Sequence, residues 1–385
     1  MSEPRRILLL NERDPEHPRA GGAETHVSRI FSRLVERGHE VTQYSTGFRG
    51  GTRRTRIEGM TIERRGPLPL YYASVPGHVR AAARSGTCEI VVECLNKVPF
   101  YSPLYSRLPV LAICHHLFGE VAFDQVSLPI AAGVVIAESQ IARVYRDVPF
   151  LAISASTRDD LIARGIPAKH ISVSTPGADP PAFEIDPNAH RPPRATYVGR
   201  LERYKRVDLL LRAGALLVDR FPNLELLVIG KGPDRERLEK IARELGLEGR
   251  TRFTGFVADR ERDALLAGSR VCAFPSEKEV WGLTVIEANA LGTPVVARDA
   301  PGLRDSIRHG ETGILVAAPT PKQGDDVADD EARRYADAIA RLLEEDEAAR
   351  AMRRACLAWS RRFDWDRAAS DMEAAIERAL GGALR

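Results

Sequence analysis

The sequence predicts an α/β fold of two domains, each a parallel β-sheet covered by helices on both faces. Three observations support this prediction. Short apolar runs alternate with amphipathic stretches along the chain, a pattern typical of repeated strand–helix–strand units. A proline-rich segment near the middle interrupts the alternation. The length of 385 residues also exceeds that of most single domains, which contain ~100–200 residues.

The first half shows the alternation from its start. The run Ile7–Leu10 predicts a strand, and Ala23–Gly38 predicts a helix because its apolar residues recur at helical spacing and Gly38 can end it. Short, continuous apolar runs are typical of strands buried on both faces of a parallel sheet. Further strands are predicted at Val41–Ser45, Ile90–Glu93, Val110–Cys114, Val134–Ala137 and Leu151–Ser154.

Six prolines between Pro176 and Pro193 cannot join the interior of a sheet, so they predict the linker between the domains. A second α/β series follows, and the tail from Glu331 to Leu384 is predicted to be helical. Strands are predicted at Ala195–Gly199, Leu224–Gly230, Thr251–Phe256, Val271–Phe274 and Val295–Ala297. Helices are predicted at Val207–Arg220, Pro233–Leu245, Arg260–Ala267 and Leu283–Leu291.

Composition excludes several classes of protein. With 44% hydrophobic and 28% charged residues, the chain can bury sizeable cores, and its net charge of +3 gives no reason to expect nucleic acid as a partner. No apolar run reaches the ~20 residues that cross a bilayer, and no signal peptide is evident. Five cysteines without CxxC spacing predict buried, reduced thiols and a cytoplasmic location. Walker A, GxSxG and HExxH motifs are absent.

The most informative stretch follows the predicted strand that ends at Phe274. A loop carries Glu279, and the helix after it carries Glu287 eight positions later. The free amides at the start of this helix predict an anion site, suited to a phosphate; they belong to Gly282, Leu283 and Thr284. Carboxylates beside such a site make sense if they accept hydrogen bonds from sugar hydroxyls. Solvated acids in an exposed loop are the alternative.

Two other loops follow strands of the second half. Gly199 and Arg200 come directly after a strand and Lys205 follows in the same loop; a forked guanidinium and a flexible ammonium suit two adjacent phosphates. Solvated surface charges are again the alternative. Gly230 and Gly232 form a turn before a helix, but no third glycine completes a dinucleotide fingerprint. A purely structural turn is therefore an alternative for this pair.

The first half offers a glycine loop and a histidine pair. Gly21 and Gly22 precede the first helix, where their amides can form an anion nest or a simple flexible cap. His115 and His116 follow the strand Val110–Cys114, but adjacent histidines rarely chelate one metal and no further ligands complete a zinc set. Glu138 follows the predicted strand Val134–Ala137, where a role in ligand binding and a salt bridge remain equally open.

The block from Glu279 to Pro294 resembles the signature of retaining glycosyltransferases of family 4, which have the GT-B fold. It has two acids separated by seven residues, then alanine and a Gly-Thr-Pro-Val strand entry, with Trp281 where an aromatic is usual and Asn289 where methionine is common. The resemblance covers about Arg5–Asp366. It implies two Rossmann-like α/β/α domains, residues 1–185 and 186–362, that face each other across a cleft. It also implies a C-terminal helix, residues 363–385, that crosses back to the first domain.

The resemblance also implies roles for individual residues. Glu279 would approach the donor sugar, Glu287 would bind the ribose, and Arg200 and Lys205 would hold the diphosphate. His115, or His116 as second choice, would lie near the 6-position of the sugar. The residues expected to take part in catalysis are His115, Glu279, Arg200 and Lys205. The residues expected to bind the donor, besides Arg200, Lys205 and Glu287, are Gly21, Gly22, Gly199, Gly230, Gly232, Val257, Gly282, Leu283 and Thr284.

The implied function is transfer of a sugar from a nucleotide-sugar donor to a glycan, lipid-linked or small-molecule acceptor, with retention and without a metal or other cofactor. Polysaccharide biosynthesis is a fitting context. A sugar-nucleotide 2-epimerase or a non-catalytic sugar-nucleotide-binding protein of the same fold are the alternatives. Six arginines against two glutamates in Phe48–Arg65, a local charge of +4, form either a solvated edge or a contact with the inner membrane face. The sequence leaves open the nucleobase, the sugar, the acceptor and the oligomeric state.

Overall fold

A computed structural model describes residues 3–95, 98–117, 119, 128–318 and 326–382 of the chain. The chain divides into two compact units: the first unit ends at Gly177 and resumes at Asp364, and the second unit is Ala178–Phe363. The expected boundary after residue 185 was eight residues late. Phe183 and Ile185 pack against the hydrophobic core of the second unit, so the segment after Gly177 belongs there.

The strands form two separate sheets. In the first unit the described strands β1 to β8 are Arg6–Leu10, Glu40–Thr46, Arg54–Ile57, Met60–Arg65, Ile90–Leu95, Val110–Cys114, Phe150–Ala152 and Ile171–Val173. Their order is β3-β4-β2-β1-β5-β6-β7-β8, and only the β3–β4 pair is antiparallel among the described pairings. In the second unit, strands β9 to β14 are Arg194–Val198, Glu225–Ile229, Thr251–Gly255, Val271–Phe274, Val295–Arg298 and Gly313–Val316.

Helices connect these strands. In the first unit the described helices are α1 Gly22–Glu36, α2 Leu68–Ser85, α3 Leu128–Ser139, α4 Ile141–Val144 and α5 Ala155–Ala163. The second unit holds α6 Val207–Leu217, α7 Arg235–Glu244, α8 Asp259–Ala267, α9 Leu283–Ala290, α10 Leu303–Ser306, α11 Asp326–Leu343 and α12 Glu347–Ser360. The last helix, α13 Trp365–Gly382, is part of the first unit, where Arg33 and Arg37 of α1 pair with Asp366 and Glu373.

The second sheet is parallel, with the strand order β11-β10-β9-β12-β13-β14. Its strands are buried on both faces, as the continuous apolar runs predicted. In β12, Val271 and Ala273 belong to one hydrophobic cluster, and Cys272 and Phe274 belong to the cluster on the opposite face. Strand β9 lies where the order reverses, because the chain runs outward from it in one direction to β11 and then returns beside it at β12.

The predicted strand Val134–Ala137 was wrong, because these residues lie inside α3. In this helix Ala131, Val134 and Glu138 are buried, a spacing of three and four residues, whereas Ile130 and Ile136 are exposed. A four-residue apolar run fits a strand and one side of a helix equally well. Glu138 therefore lies in the last turn of a helix and not at the end of a strand.

The basic segment forms the β3–β4 hairpin, which the sequence analysis did not predict. Arg64 of this hairpin is buried and donates two hydrogen bonds of 2.7 Å to the Asp14 carboxylate and one of 2.8 Å to Glu16. The sequence analysis counted Arg64 among the basic surface residues, and this was wrong because its guanidinium is buried. The arginines of the segment that remain exposed are Arg49, Arg53, Arg54, Arg56 and Arg65.

Two further features concern the whole described chain. The five cysteines are all buried free thiols, as predicted. Among the described helices, none is both long enough and apolar enough to cross a membrane.

Candidate active site

The candidate site of the second unit lies at the carboxyl ends of β9 and β12. In open parallel α/β sheets, ligands bind at the carboxyl edge where the strand order reverses, because the loops on either side of that point diverge. The loop after β9 carries Arg200 and Lys205, and the loop after β12 carries Glu279. Strand pairing between β9 and β12 thus makes neighbours of two loops that are about 70 residues apart in the chain.

The structure brings Lys205 and Glu279 into direct contact. Lys205 Nζ lies 2.5 Å from Glu279 Oε1, and their side chains are 14% and 16% exposed. Two further contacts join the same loops: the Glu277 amide donates to the Tyr204 carbonyl (2.9 Å), and Arg206 pairs with Glu277 (3.2 Å). A cation and a carboxylate therefore meet at the point where a parallel sheet of this order binds ligands.

Hydrogen bonds fix the backbone of the loop after β9 at Gly199 and Arg200. The Gly199 amide donates to the Ile229 carbonyl (3.0 Å), and the Tyr197 hydroxyl donates to the Arg200 carbonyl (2.8 Å). The Arg200 side chain is exposed. Arg206 ends the loop with a φ of +50°, a left-handed conformation that is strained for a residue other than glycine. The strain lies directly beside Lys205.

The start of α9 is shaped by Gly282, which adopts a left-handed φ of +82°. A Cβ at this position would lie 3.1 Å from the side chains of Val285 and Leu303, so a larger residue would be both strained and crowded. The amides of Leu283 and Thr284 then belong to the first turn of α9, where backbone donors have no partner in the preceding turn. This geometry suits an anion, as the sequence predicted.

Glu287 lies one turn further along α9 and is half-buried. Burial raises the pKa of its carboxyl group; nearby Arg262 of α8 opposes that shift, while the carboxylates of Asp263, Asp179 and Asp259 add to it. Arg262 itself donates to Asp259 and Asp263. The Glu287 carboxylate is therefore partly desolvated and close to other carboxylates, so hydrogen bonds from hydroxyl donors would stabilise its charge.

Gly230 and Gly232 have a clear packing role. A Cβ at Gly230 would overlap the Gly199 carbonyl oxygen, and a Cβ at Gly232 would overlap the Leu201 carbonyl oxygen. The loops after β9 and β10 thus touch backbone to backbone, which supports the structural-turn alternative. Val257, beyond β11, packs against a core cluster beside Phe256, whose side chain is 75% exposed. The positions of Gly230, Gly232 and Val257 at a nucleotide stay predictions.

In the first unit, Gly21 caps α1 and is itself held by Glu24. The Gly21 amide donates to Glu24 Oε2 (2.7 Å), and the Glu24 side chain is buried. This contact, which is the Glu24 half of a capping box, supports the cap alternative for the glycine loop, while Gly22 remains exposed at the first position of the helix. Glu24 was not among the residues singled out from the sequence.

His115 directly follows β6 and is buried, with 3% of its surface exposed. Its Nε2 lies 3.1 Å from Nδ1 of His26 on α1, and its carbonyl accepts from the Thr157 hydroxyl (3.0 Å). Burial lowers the pKa of His115 to about 4, so its ring is neutral near pH 7. His116 is half-buried. Sequence reasoning missed His26; its position four residues after Gly22, on the same side of α1, was the available signal.

Glu138 contacts Gly119 and Arg164. Its Oε2 accepts from the Gly119 amide (2.7 Å) and lies 3.4 Å from Arg164 Nη1, and the side chain is buried. Of the two alternatives left open from the sequence, the structure supports the salt bridge.

Two sequence profiles together match nearly the whole chain. The profile described as Glycosyltransferase Family 4 matches residues 20–182, and the one described as Glycosyl transferases group 1 matches residues 182–357. The chain belongs to the family 4, group 1 glycosyltransferases.

Curated relatives of this family 4 chain include two bacterial proteins named D-inositol 3-phosphate glycosyltransferase. The protein from Corynebacterium urealyticum is 33% identical over 221 residues, which cover 52% of this chain and 50% of that protein. The protein from Nocardia farcinica is 27% identical over 427 residues, which cover 98% of this chain and 90% of that protein. The matches to the corynebacterial relatives thus span about half the length of those proteins.

Solved structures share the fold over almost the full length. Sucrose-phosphate synthase from Thermosynechococcus elongatus has a TM-score of 0.75 at 21% identity, and the match covers 98% of this chain and 99% of that one. HepE from Anabaena, solved in complex with UDP, has a TM-score of 0.72 at 19% identity, with 97% and 100% covered. The family 4 chain therefore has the GT-B fold that the sequence predicted.

Proposed function

We propose that this chain transfers a sugar from a nucleotide-sugar donor to an acceptor, with retention of the anomeric configuration and without a metal ion. The contact between Lys205 and Glu279 carries the proposal. It supplies a cation for a diphosphate and a carboxylate for sugar hydroxyls at one point, which is where the strand order of the second sheet reverses. Membership of the family 4 glycosyltransferases supports the same activity.

The donor would bind to the second unit. Exposed Arg200, Lys205 and the first-turn amides of α9 are the groups that favour a diphosphate, because all of them are donors and two carry positive charge. Glu287 would accept hydrogen bonds from the ribose hydroxyls. The base would lie toward the ends of β10 and β11, beside Gly230, Gly232 and Val257.

Binding of the donor would rearrange the ion pair. A phosphate that reaches Lys205 competes with the Glu279 carboxylate for the ammonium group, because the two anions need the same donors. Glu279 would then accept from a hydroxyl of the transferred sugar. Separation of the pair costs Coulombic energy, and the new charge-assisted hydrogen bonds on both sides offset that cost.

The reaction would place its largest charge on the leaving diphosphate, which Arg200, Lys205 and the helix amides stabilise. The acceptor oxygen would attack on the face from which the diphosphate departs, and a phosphate oxygen would take the acceptor proton. This order of events retains the configuration and requires neither a protein nucleophile nor a metal. His115, whose ring is neutral near pH 7, stays the candidate for a hydrogen bond to a sugar oxygen that the resemblance implies.

Names of similar proteins suggest the first substrates to test. HepE was solved with UDP and with UDP-glucose, so UDP-hexoses are the first donors to try. The curated relatives are named for D-inositol 3-phosphate, which makes a polyol phosphate the first small acceptor; glycan and lipid-linked acceptors follow.

A peripheral membrane contact is a separate part of the proposal. Five exposed arginines between Arg49 and Arg65 would attract anionic lipid, with Arg64 excluded because it is buried against Asp14. Co-sedimentation with vesicles of anionic and of neutral lipid tests this. Equal recovery in both pellets would assign the arginines to a solvated edge.

A donor panel tests the function. UDP-, GDP- and ADP-hexoses are incubated with the chain, with and without acceptor, and the products are separated by chromatography. Acceptor-dependent release of nucleoside diphosphate with a new glycoside supports transfer. Release of a 2-epimerised free sugar supports the epimerase, and binding of a donor without any turnover supports the non-catalytic alternative.

A further inference from the structure

The first unit contains a buried pair of histidines, His26 and His115. His26 Nδ1 and His115 Nε2 lie 3.1 Å apart, and the rings meet edge to face with centroids 5.1 Å apart. Both side chains are buried, at 2% and 3% exposure. Burial lowers the pKa of both rings, so the pair is neutral near pH 7 and carries one proton on each imidazole.

The number of protons on the two neutral rings determines which ring nitrogens can donate a hydrogen bond and which can accept one. One ring must donate and the other accept across the 3.1 Å contact, so one of the remaining two nitrogens is a donor and the other an acceptor. Those remaining nitrogens are His115 Nδ1 and His26 Nε2. Both are buried, and within the described part of the chain neither has a hydrogen-bond partner. A buried imidazole nitrogen without a partner is costly unless a ligand satisfies it.

The neighbour of His26 favours one of the two arrangements. The Trp365 indole, at the start of α13, lies with its ring centroid 6.1 Å from that of His26. An indole has an N–H donor and no acceptor, and the Trp365 Nε1 is itself buried without a hydrogen-bond partner in the described chain. If His26 Nε2 is an acceptor, this buried neighbourhood holds one donor and one acceptor; if it is a donor, the neighbourhood holds two donors. The first arrangement is the one in which His26 carries its proton on Nδ1.

We propose that His26 is a positioning residue that donates from Nδ1 to His115 Nε2 and so fixes His115 as the Nδ1–H tautomer, a neutral donor aimed at an acceptor oxygen of the sugar substrate. The part of this statement that concerns the substrate rests on the proposed function. The part that concerns the tautomer does not, because it is a property of the free protein. The Nδ1–H form is the less common tautomer of an isolated imidazole, so its presence reports the contact with His26.

The first test is nitrogen NMR of the free protein labelled with ¹⁵N-histidine, with His115→Gln used to assign the His115 signals among the nine histidines. We expect the His115 proton on Nδ1 at pH 7, and a shift toward Nε2–H in His26→Phe, which keeps a ring but has no donor. A proton on Nε2 of His115 in the parent protein overturns the proposal, and this measurement needs no variant of His26 to fold.

Kinetics form the second test. We expect His26→Phe to lower kcat/KM by about 10- to 100-fold while the affinity for free nucleoside diphosphate stays within about 2-fold. His26→Asn places an amide donor near the Nδ1 position and should recover part of the rate. Thr25→Ala, an exposed neighbour on α1, is the matched control and should retain parental activity.

The outcomes separate the two proposals. Parental activity of His26→Phe overturns the positioning role even if the enzyme transfers sugar. If the parent chain transfers no sugar from any donor, the proposed function fails, and the tautomer measured by NMR still decides whether His26 fixes His115.

Discussion

At the scale of single residues, the account depends on the ion pair of Lys205 with Glu279. In the free protein the ammonium group is paired with this carboxylate, whereas the Arg200 side chain is exposed, so in the proposed site Arg200 would be the first cation that a diphosphate meets. Lys205 would bind the diphosphate only after Glu279 moved to a hydroxyl of the sugar. The pair itself would then have no net charge before the donor binds, and its ammonium group would become available to the diphosphate afterwards.

The first prediction concerns the two cations. Lys205→Ala and Arg200→Ala each remove a charge-assisted contact worth ~1.5–3 kcal/mol, so kcat/KM should fall roughly 10- to 150-fold. Arg203→Ala is the matched control, because its side chain is 83% exposed in the same loop. Steady-state rates with the preferred donor decide the matter. Parental rates in either Lys205→Ala or Arg200→Ala would mean that the phosphate site is assigned wrongly.

The second prediction separates the two acids. Glu287→Ala should weaken binding of donor and of free nucleoside diphosphate alike, by ~1–3 kcal/mol, because the ribose is present in both. Glu279→Ala should leave the affinity for nucleoside diphosphate equal or higher, since its carboxylate competes for Lys205, while the rate of transfer falls. Calorimetry with the product nucleotide tests this. An equal loss of affinity in the two variants would show that their roles are assigned incorrectly.

The third prediction concerns pH and the stability of the histidine pair. The pKa of His115 in the folded chain, about 4, is below the ~6.5 of an exposed histidine, so the unfolded chain binds more protons between these values. The contribution of neutral, buried His115 to the free energy of unfolding is therefore fully present above about pH 6.5 and is lost as the pH falls toward 4. For His115 the loss should reach about 2 kcal/mol at pH 5.

Urea denaturation at pH 7 and pH 5 measures this effect. His115→Asn should lose less stability between the two pH values than the parent, and His170→Asn, which lies outside the buried pair, should behave as the parent does. The same slope in His115→Asn and the parent would show that His115 does not carry the pH dependence.

At the scale of elements, the site is built from loops that touch backbone to backbone. Gly230→Ala should destabilise the chain by roughly 2–4 kcal/mol, because a Cβ there overlaps the Gly199 carbonyl and the φ of +136° is unfavourable for alanine. Gly249→Ala is the control, since nothing lies within 4 Å of its added Cβ. Denaturation curves compare the two. Similar stability of both variants would contradict the packing role of Gly230.

The same scale explains which elements the sequence could predict. Strands β6 and β12 were predicted with their observed bounds, because each is a continuous apolar run buried on both faces. The β3–β4 hairpin was missed because charged residues interrupt its apolar positions, and β3 lies at the edge of the sheet. Part of helix α3 was mistaken for a strand because an apolar run of only four residues, Val134–Ala137, fits a helix and a strand equally well.

Prediction of the site followed a similar division. Arg200, Lys205 and Glu279 were singled out because their loops follow predicted strands and because the resemblance implied their roles. Their neighbourhood was predictable because strand ends of a parallel sheet meet at one edge. The contact between His26 and His115 joins α1 to the end of β6, and no local pattern encodes it. The burial of Arg64 against Asp14 depends in the same way on tertiary packing, so a count of local charges overstated the basic surface.

At the scale of the whole molecule, the proposed reaction assigns the charge of the leaving diphosphate to protein groups alone. Within the described residues, no group of three or more His, Cys, Asp or Glu side chains is placed to hold a metal ion. The proposed reaction, in which Arg200, Lys205 and the helix amides stabilise the leaving group, predicts that transfer continues at the parental rate after exhaustive treatment with EDTA. A large loss of rate that Mg²⁺ or Mn²⁺ restores would contradict metal independence.

Proton NMR of the product shows whether the chain transfers a sugar from a nucleotide sugar with retention. The chain is supplied with an α-linked nucleotide hexose and the preferred acceptor in the presence of EDTA, and the coupling of the anomeric proton of the new glycoside is measured. Retaining transfer yields an α-linked glycoside and one equivalent of nucleoside diphosphate. A β-linked glycoside, or a free 2-epimerised sugar with no glycoside, would contradict it.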